Sequence, residues 1–147
     1  MKHEFSAGGI VIKIINKTTY ILLAQHSQHH GWVFPKGLIG DEVENESREE
    51  AAVREVEEET GVEAKITAQL SPTKYQYQYN SEERCKTVFY FIMEYISENN
   101  KKKDDEMENI EWIDFNEVKN KLTYPSDKKV WDEARQIIKK DSSDGHS

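Results

Sequence analysis

The chain has 147 residues, within the range of roughly 100–200 for one domain and long enough to bury about two-thirds of its unfolded surface. Its 28 acidic against 20 basic residues give a net charge of -8, which excludes a strongly basic nucleic-acid footprint, and 36% hydrophobic with 10% aromatic residues excludes compositional disorder. The single cysteine, Cys85, excludes an intrachain disulfide and a cysteine-based zinc site.

Phe5 to Ile15 carries Ala7-Gly8-Gly9 and then β-branched residues with Ile10, Ile12 and Ile14 alternating, which predicts a strand whose glycines admit another backbone closely. Asn16-Lys17 is a turn, and Thr18 to Ala24 returns as a second strand. Gln25 to Gly31 is a polar loop with His26, His29 and His30; with no second His/Cys cluster to complete a metal site, these are expected at the surface. Trp32 to Phe34 is a short strand ending at Pro35, after which Pro35-Lys36-Gly37 opens a loop that includes Gly40. Ser47-Arg48-Glu49-Glu50 is a capping box, and no Gly or Pro follows until Gly61, so a helix runs from about Arg48 to Thr60.

Val62 to Leu70, Lys74 to Tyr79 and Lys86 to Ile96 are three more strands, with Asn80-Ser81-Glu82-Glu83 as the turn between the last two. Ser97 to Glu108 is a charged surface loop, and Ile110 to Ile113 a short strand. Asn116 to Leu122 and Asp127 to Lys140 are helices, the second with Trp131, Ala134, Ile137 and Ile138 as its apolar stripe. A single domain over residues 1–140 and a disordered tail over residues 141–147 are expected. No apolar run reaches a membrane span and Met1 to Phe5 lacks the apolar stretch of a secretory signal, so a cytoplasmic protein is expected.

The helix is the informative segment. Asp41 to Glu59 holds ten carboxylates against Arg48 and Arg54. At about 100° per residue, Glu55, Glu58 and Glu59 share an arc of about 100°, and Val53, Val56 and Thr60 form an adjacent stripe for the core. The carboxylates therefore flank the core instead of opposing it. Like charges one turn apart repel by a few tenths of a kcal/mol, and a hard divalent cation with oxygen ligands relieves this. Arg54 is placed to orient a carboxylate through a bidentate pair.

Gly40, Glu46, Arg54-Glu55-Val56-Glu57-Glu58-Glu59-Thr60-Gly61-Val62 resembles the Nudix box at its nine fixed positions over 23 residues, and Trp32 to Gly37 resembles the segment leading into it. The resemblance implies an α/β fold, an α/β/α sandwich with a mixed β-sheet between helices, and a Mg²⁺- or Mn²⁺-dependent hydrolase of phosphoanhydride bonds acting on a small-molecule nucleotide. It implies Glu55, Glu58 and Glu59 as metal ligands, Glu46 as an assisting ligand, Arg54 as orienting Glu55, and a backbone carbonyl ligand from Gly37 or Gly40, with Gly37 favoured. Glu4 to Gly9 and Lys86 to Phe91 resemble the diadenosine tetraphosphate hydrolase branch. That likeness implies phosphate contacts from Lys36, Lys86 and Tyr90, the last two sharing a strand face. It also implies a Glu before Trp112 that binds metal or activates water: Glu106, with Glu108 and Glu111 as competitors.

Tyr75, Tyr77 and Tyr79 alternate on one strand and share a face; that face is the expected adenine platform, with Tyr77 and Tyr79 as its named contacts, and core packing is the alternative. The chain departs from the branch in having Leu38 after Pro-Lys-Gly and a lengthened loop before the box. The expected activity is asymmetric cleavage of dinucleoside tetraphosphates to ATP and AMP. The alternatives are nucleoside triphosphate pyrophosphohydrolysis and a non-catalytic nucleotide-sensing module. No membrane and no stable nucleic-acid partner is expected, and the protein is expected as a monomer or homodimer.

Overall fold

The computed structural model describes residues 1–40, 43–99 and 106–144, the stretch 140–144 as backbone only. Eight strands form one mixed sheet: β1 (Lys2–Ile15), β2 (Thr18–His26), β3 (Trp32–Val33), β4 (Lys36–Leu38), β5 (Val62–Gln69), β6 (Thr73–Tyr79), β7 (Glu82–Glu98) and β8 (Met107–Asp114). Among the described residues three α-helices accompany them: α1 (Arg48–Thr60), α2 (Val118–Lys121) and α3 (Pro125–Asp144). The central order is β3-β2-β1-β7-β5, with β4 beside β1, β6 beside β7 and β8 beside β2. Among the described residues only β1 and β7 run parallel, in register from Lys2↔Arg84 to Ile12↔Glu94.

Strand alternation divides the side chains between two cores. Ala7, Val11, Phe91 and Met93 face α1, packing with Ala51, Ala52 and Val56. Ile10, Val88, Tyr90 and Ile92 face the other way and pack with Val118, Trp131 and Ala134 of α2 and α3. Helices thus cover both faces of the sheet, the expected α/β/α arrangement. A Cβ on Gly8 would collide with the Pro35 carbonyl, the close backbone approach read from its sequence. Among the described residues no helix is long and apolar enough to cross a membrane.

Several boundaries differ from the sequence reading. Lys36–Leu38 is a strand, not a loop: it pairs with β1 as Ser6↔Leu38, Ala7↔Gly37 and Gly8↔Lys36, a short edge pairing with no periodic signature. The β6–β7 turn is the pair Asn80-Ser81, at φ 51° and 64°, and Glu82 and Glu83 already belong to β7. Asn16-Lys17, at φ 49° and 71°, makes the same kind of two-residue turn, whose left-handed backbone matches strand twist. Ser97 and Glu98 extend β7, and β8 begins at Met107, inside the expected loop; the basic run 101–103 and its acidic neighbours lie outside the described residues. Asn116 to Leu122 is a 3₁₀ turn (Phe115–Glu117) followed by the single-turn α2. Helix α3 starts at Pro125, the favoured first helical position for proline, and its backbone runs to Asp144, into the stretch expected as a tail; residues 145–147 lie outside the described residues.

Candidate active site

The carboxylate helix begins and ends as its sequence dictates. Ser47 Oγ accepts from the Glu50 amide at 3.0 Å and Glu50 Oε1 accepts from the Ser47 amide at 3.1 Å, while Gly61 closes the helix in the left-handed conformation at φ 77°. So fixed, α1 buries Glu55 and Glu59, at 6% and 0% exposure, an arrangement that carboxylates adopt only with compensating partners.

Arg54 is a hub. Its Nε and Nη2 donate to the two oxygens of Glu46 at 2.9 and 2.6 Å, and its Nη1 donates to Glu55 Oε1 at 2.8 Å and Glu58 Oε2 at 3.0 Å. These hydrogen bonds hold Glu46 below the usual carboxylate range and Arg54 above its own ordinary value, despite the opposing effect of burial on each. Sequence reasoning assigned Arg54 to Glu55; the guanidinium in fact spans three carboxylates. Glu46 turns both oxygens to Arg54 and also accepts from the Gly40 amide at 2.9 Å. Strand β4 completes the cluster: the Lys36 amide donates to Glu59 Oε2 at 3.0 Å, and a Cβ on Gly37 would overlap the Glu55 carboxylate. Gly40 has no such neighbour, since a Cβ there would meet open space.

The donors fit a hard divalent cation in kind: carboxylate oxygens from one helix face, with the Gly37 backbone drawn against Glu55. Among the described residues no three His, Cys, Asp or Glu groups converge on one point, because the Arg54 guanidinium lies between Glu55 and Glu58.

Lys36 joins this cluster to a cavity of about 610 Å³ on the α3 side of the sheet. Lys36 and Lys86 stand in it, and among the described residues neither forms an ion pair. Burial, and then Lys36, push the Lys86 ammonium below its ordinary value. Tyr90 shares the Lys86 face as expected, but its ring is buried in the core edge-on to Phe34, at 5.9 Å between centroids; only its hydroxyl reaches outward, to Asp127. Asp127 lines the cavity in its place. Burial raises the Asp127 carboxyl, opposed by Lys36 and the Tyr90 hydroxyl. Sequence reasoning missed this residue because it began the helix there; the Pro125 start signal would have set Asp127 inside the first turn.

His26 and His29 also line the cavity, His26 half-buried at the end of β2 and His29 exposed in the loop as expected, while His30 is exposed and pairs with Glu108 at 2.6 Å. The two rings stack at 4.1 Å and 9°. His26 Nδ1 accepts from the Gln28 amide at 3.1 Å; His29 Nδ1 accepts from the Gly31 amide at 3.0 Å and faces the Tyr124 hydroxyl at 2.6 Å. Each Nδ1 is therefore unprotonated, and the remaining hydrogen sits on Nε2. Burial lowers the affinity of His29 for a second proton. His26 Nε2 faces Glu106 Oε1 at 3.3 Å, and of the three acidic competitors Glu106 lines the cavity, Glu108 turns to His30, and Glu111 lies 3.9 Å from Lys121. The tyrosine row does share a face, in register as Tyr75↔Lys86, Tyr77↔Arg84 and Tyr79↔Glu82. Of its three rings Tyr75 lines the cavity; the Tyr77 hydroxyl bonds Glu4, and Tyr79 lies under Arg84, 4.7 Å from its centroid.

Comparison with known proteins agrees with this architecture. A Mycobacterium tuberculosis protein carrying the name of mutator protein MutT4 is 31% identical over 149 aligned residues, spanning 97% of this chain and 59% of its own length. The asymmetrical bis(5'-nucleosyl)-tetraphosphatase of Rattus norvegicus is 37% identical over 86 residues, spanning 58% of this chain and 56% of its own. The chain thus spans little more than half the length of these curated relatives. Among solved structures, a Caenorhabditis elegans Ap4A hydrolase binary complex superposes with a TM-score of 0.69 at 17% identity, over 92% of this chain and 97% of the other. The NUDIX domain of Shewanella oneidensis NrtR complexed with ADP ribose gives 0.74 at 18% identity, over 94% and 90%. The NUDIX domain model matches residues 6–134, nearly the whole of the sheet and both helical layers, and the chain belongs to that family.

Proposed function

We propose that the protein is a divalent-cation-dependent hydrolase of phosphoanhydride bonds whose substrate is a dinucleoside polyphosphate such as diadenosine tetraphosphate, split asymmetrically to ATP and AMP. The observation that carries this reading is the adjoining of two sites of opposite character. A face of carboxylates, Glu55, Glu58 and Glu59, meets through Lys36 a cavity whose lysines have no ion-pair partner among the described residues. Polyphosphate is the chemistry that needs both: cation-mediated contact at the reacting phosphorus and direct ammonium contact along the rest of the chain.

The chain's own groups divide the work. Arg54 fixes Glu55 and Glu58, and Glu46 fixes Arg54, so Glu46 acts as a positioning residue through the guanidinium. Lys36 and Lys86 bind phosphate oxygens. Glu106 takes a proton from an attacking water, a reading supported by its position at the cavity wall beside His26. A bound Mg²⁺ or Mn²⁺ supplies polarisation of the phosphoryl oxygen and a lowered pKa for coordinated water. A base stacks on Tyr75, and the neutral His29 offers Nε2–H as a donor. Cleavage of nucleoside triphosphates is the second reading, favoured by the mutator-protein name of the first relative. Incubation with a panel of dinucleoside polyphosphates and nucleoside triphosphates plus Mg²⁺, with products separated by chromatography, decides between them. ATP and AMP from diadenosine tetraphosphate are expected, and turnover of triphosphates alone rejects the dinucleotide reading.

A further inference from the structure

A second cavity, of about 550 Å³, lies along α3 beside the first. Both fall within the range of about 300–1,000 Å³ that seats one small molecule. They adjoin: Tyr75, Pro125 and Ser126 line both. A ring bordering two chambers can stack against a base in either. The outer chamber has the mixed lining that a nucleoside needs. Pro72 and Val130 give apolar wall, Lys129 gives a cation, and Glu133 stands with Oε2 fixed by the Ser71 amide and hydroxyl, each at 3.0 Å. A carboxylate so held accepts hydrogen bonds from ribose hydroxyls, which are donors. Thr73 of the outer chamber lies two residues along β6 from Tyr75, about 7 Å, and Tyr75 pairs directly with Lys86. A phosphate chain crossing Lys86 therefore has a nucleoside-sized space at each side of Tyr75.

We propose that this outer groove between β6 and α3 is the seat of the second nucleoside of a dinucleoside polyphosphate, with Tyr75 as the wall common to both nucleosides. The proposal rests on the dinucleotide reading above and adds to it a second subsite that a nucleoside triphosphate leaves empty.

The test uses two substrates with the same four phosphates: diadenosine tetraphosphate, with two nucleosides, and adenosine 5′-tetraphosphate, with one. The variants are Thr73→Trp, which fills the groove, and Lys129→Glu, an exposed change that reverses its charge. For each variant that melts within a few degrees of wild type, the quantity read is kcat/KM for the dinucleotide divided by kcat/KM for the mononucleotide. A fall of that ratio by fivefold or more, with the mononucleotide rate within twofold of wild type, supports the groove. If no folded variant moves the ratio while wild type cleaves the dinucleotide, the groove is rejected and the dinucleotide reading stands. If wild type does not cleave the dinucleotide, both fall.

Discussion

Gly37→Ala tests how the carboxylates of α1 are held. The added Cβ would overlap the Glu55 carboxylate, so one of the two must move. Glu55 has little freedom to do so: it is 6% exposed and bound to Arg54 Nη1 at 2.8 Å. Swinging it away breaks a hydrogen bond between charged groups, worth about 1.5–3 kcal/mol; pushing β4 back instead strains a packed edge by about 1–3 kcal/mol. Either route predicts a loss of about 2 kcal/mol, or about 4–8 °C in Tm for a chain of this size. A shift of about 1 Å in a reacting group costs about a hundredfold in rate, so turnover should fall much further than stability. Gly40→Ala is the control. Its Cβ meets nothing, but φ 77° is left-handed backbone, so it should cost about 1–2 kcal/mol of stability and spare turnover. Thermal melts by circular dichroism and steady-state hydrolysis of a nucleotide substrate measure both effects. Equal turnover in Gly37→Ala and wild type would refute the argument that this glycine exists to make room for Glu55.

Glu58→Gln should reduce kcat by orders of magnitude with a small change in Tm, because the side chain is partly exposed and its oxygen contacts Arg54 at 3.0 Å; wild-type turnover removes it from the site. Lys86→Met should lower kcat/KM tenfold or more without loss of stability, since burial disfavours the charged lysine in the folded state and the folded protein is better off without it below that lowered pKa; a large drop in Tm contradicts this. Glu46 has a depressed folded pKa, so its stabilisation is present above the ordinary carboxylate value near 4.5 and is lost as pH falls through the folded value; Glu46→Gln should flatten that acid limb of Tm against pH. Asp127 has the opposite sign: its raised pKa means stability falls as pH rises from 3.8 through the folded value. Asp127→Asn, which can still accept from Tyr90, should therefore raise Tm at pH 7 and leave it unchanged well below pH 4.

What was legible in the sequence follows a physical pattern. Helix α1 was readable because its cap, its charge arc and its terminal glycine are all local. The long strands were readable from alternation. β4 was not, because three residues on a sheet edge carry no period, and only the pairing with Ser6 to Gly8 makes them a strand. Lys36 and Lys86 were singled out by likeness and both line the cavity, yet what separates Tyr75 from Tyr77 and Tyr79 is the position of α3 along β6, a tertiary fact. The same holds for Tyr90, whose strand face was read correctly but whose depth depends on Phe34 and α3. Arg54 reaching Glu46 as well as its own helix neighbours depends on the path of the chain before α1, which the spacing of the box does not disclose.

The parallel pairing of β1 with β7 sets an order of events during folding. Lys2 to Ile12 find their partners only at Arg84 to Glu94, some eighty residues later in the chain. Contacts of such separation form slowly, because loop closure precedes any gain from them. Until β7 is synthesised, β1 lacks one flank, β6 lacks its partner, and Lys86 and Tyr90 do not yet exist. The 13-residue helix, crowded with glutamates, is too short to persist alone in water. A nascent chain therefore carries the complete acidic motif long before it carries the strand that supplies Lys86 and Tyr90, and Phe91 and Met93 of that same strand help to pack the helix. The carboxylate helix and the lysine-lined cavity therefore both wait on one strand, and neither is complete before β7 pairs with β1.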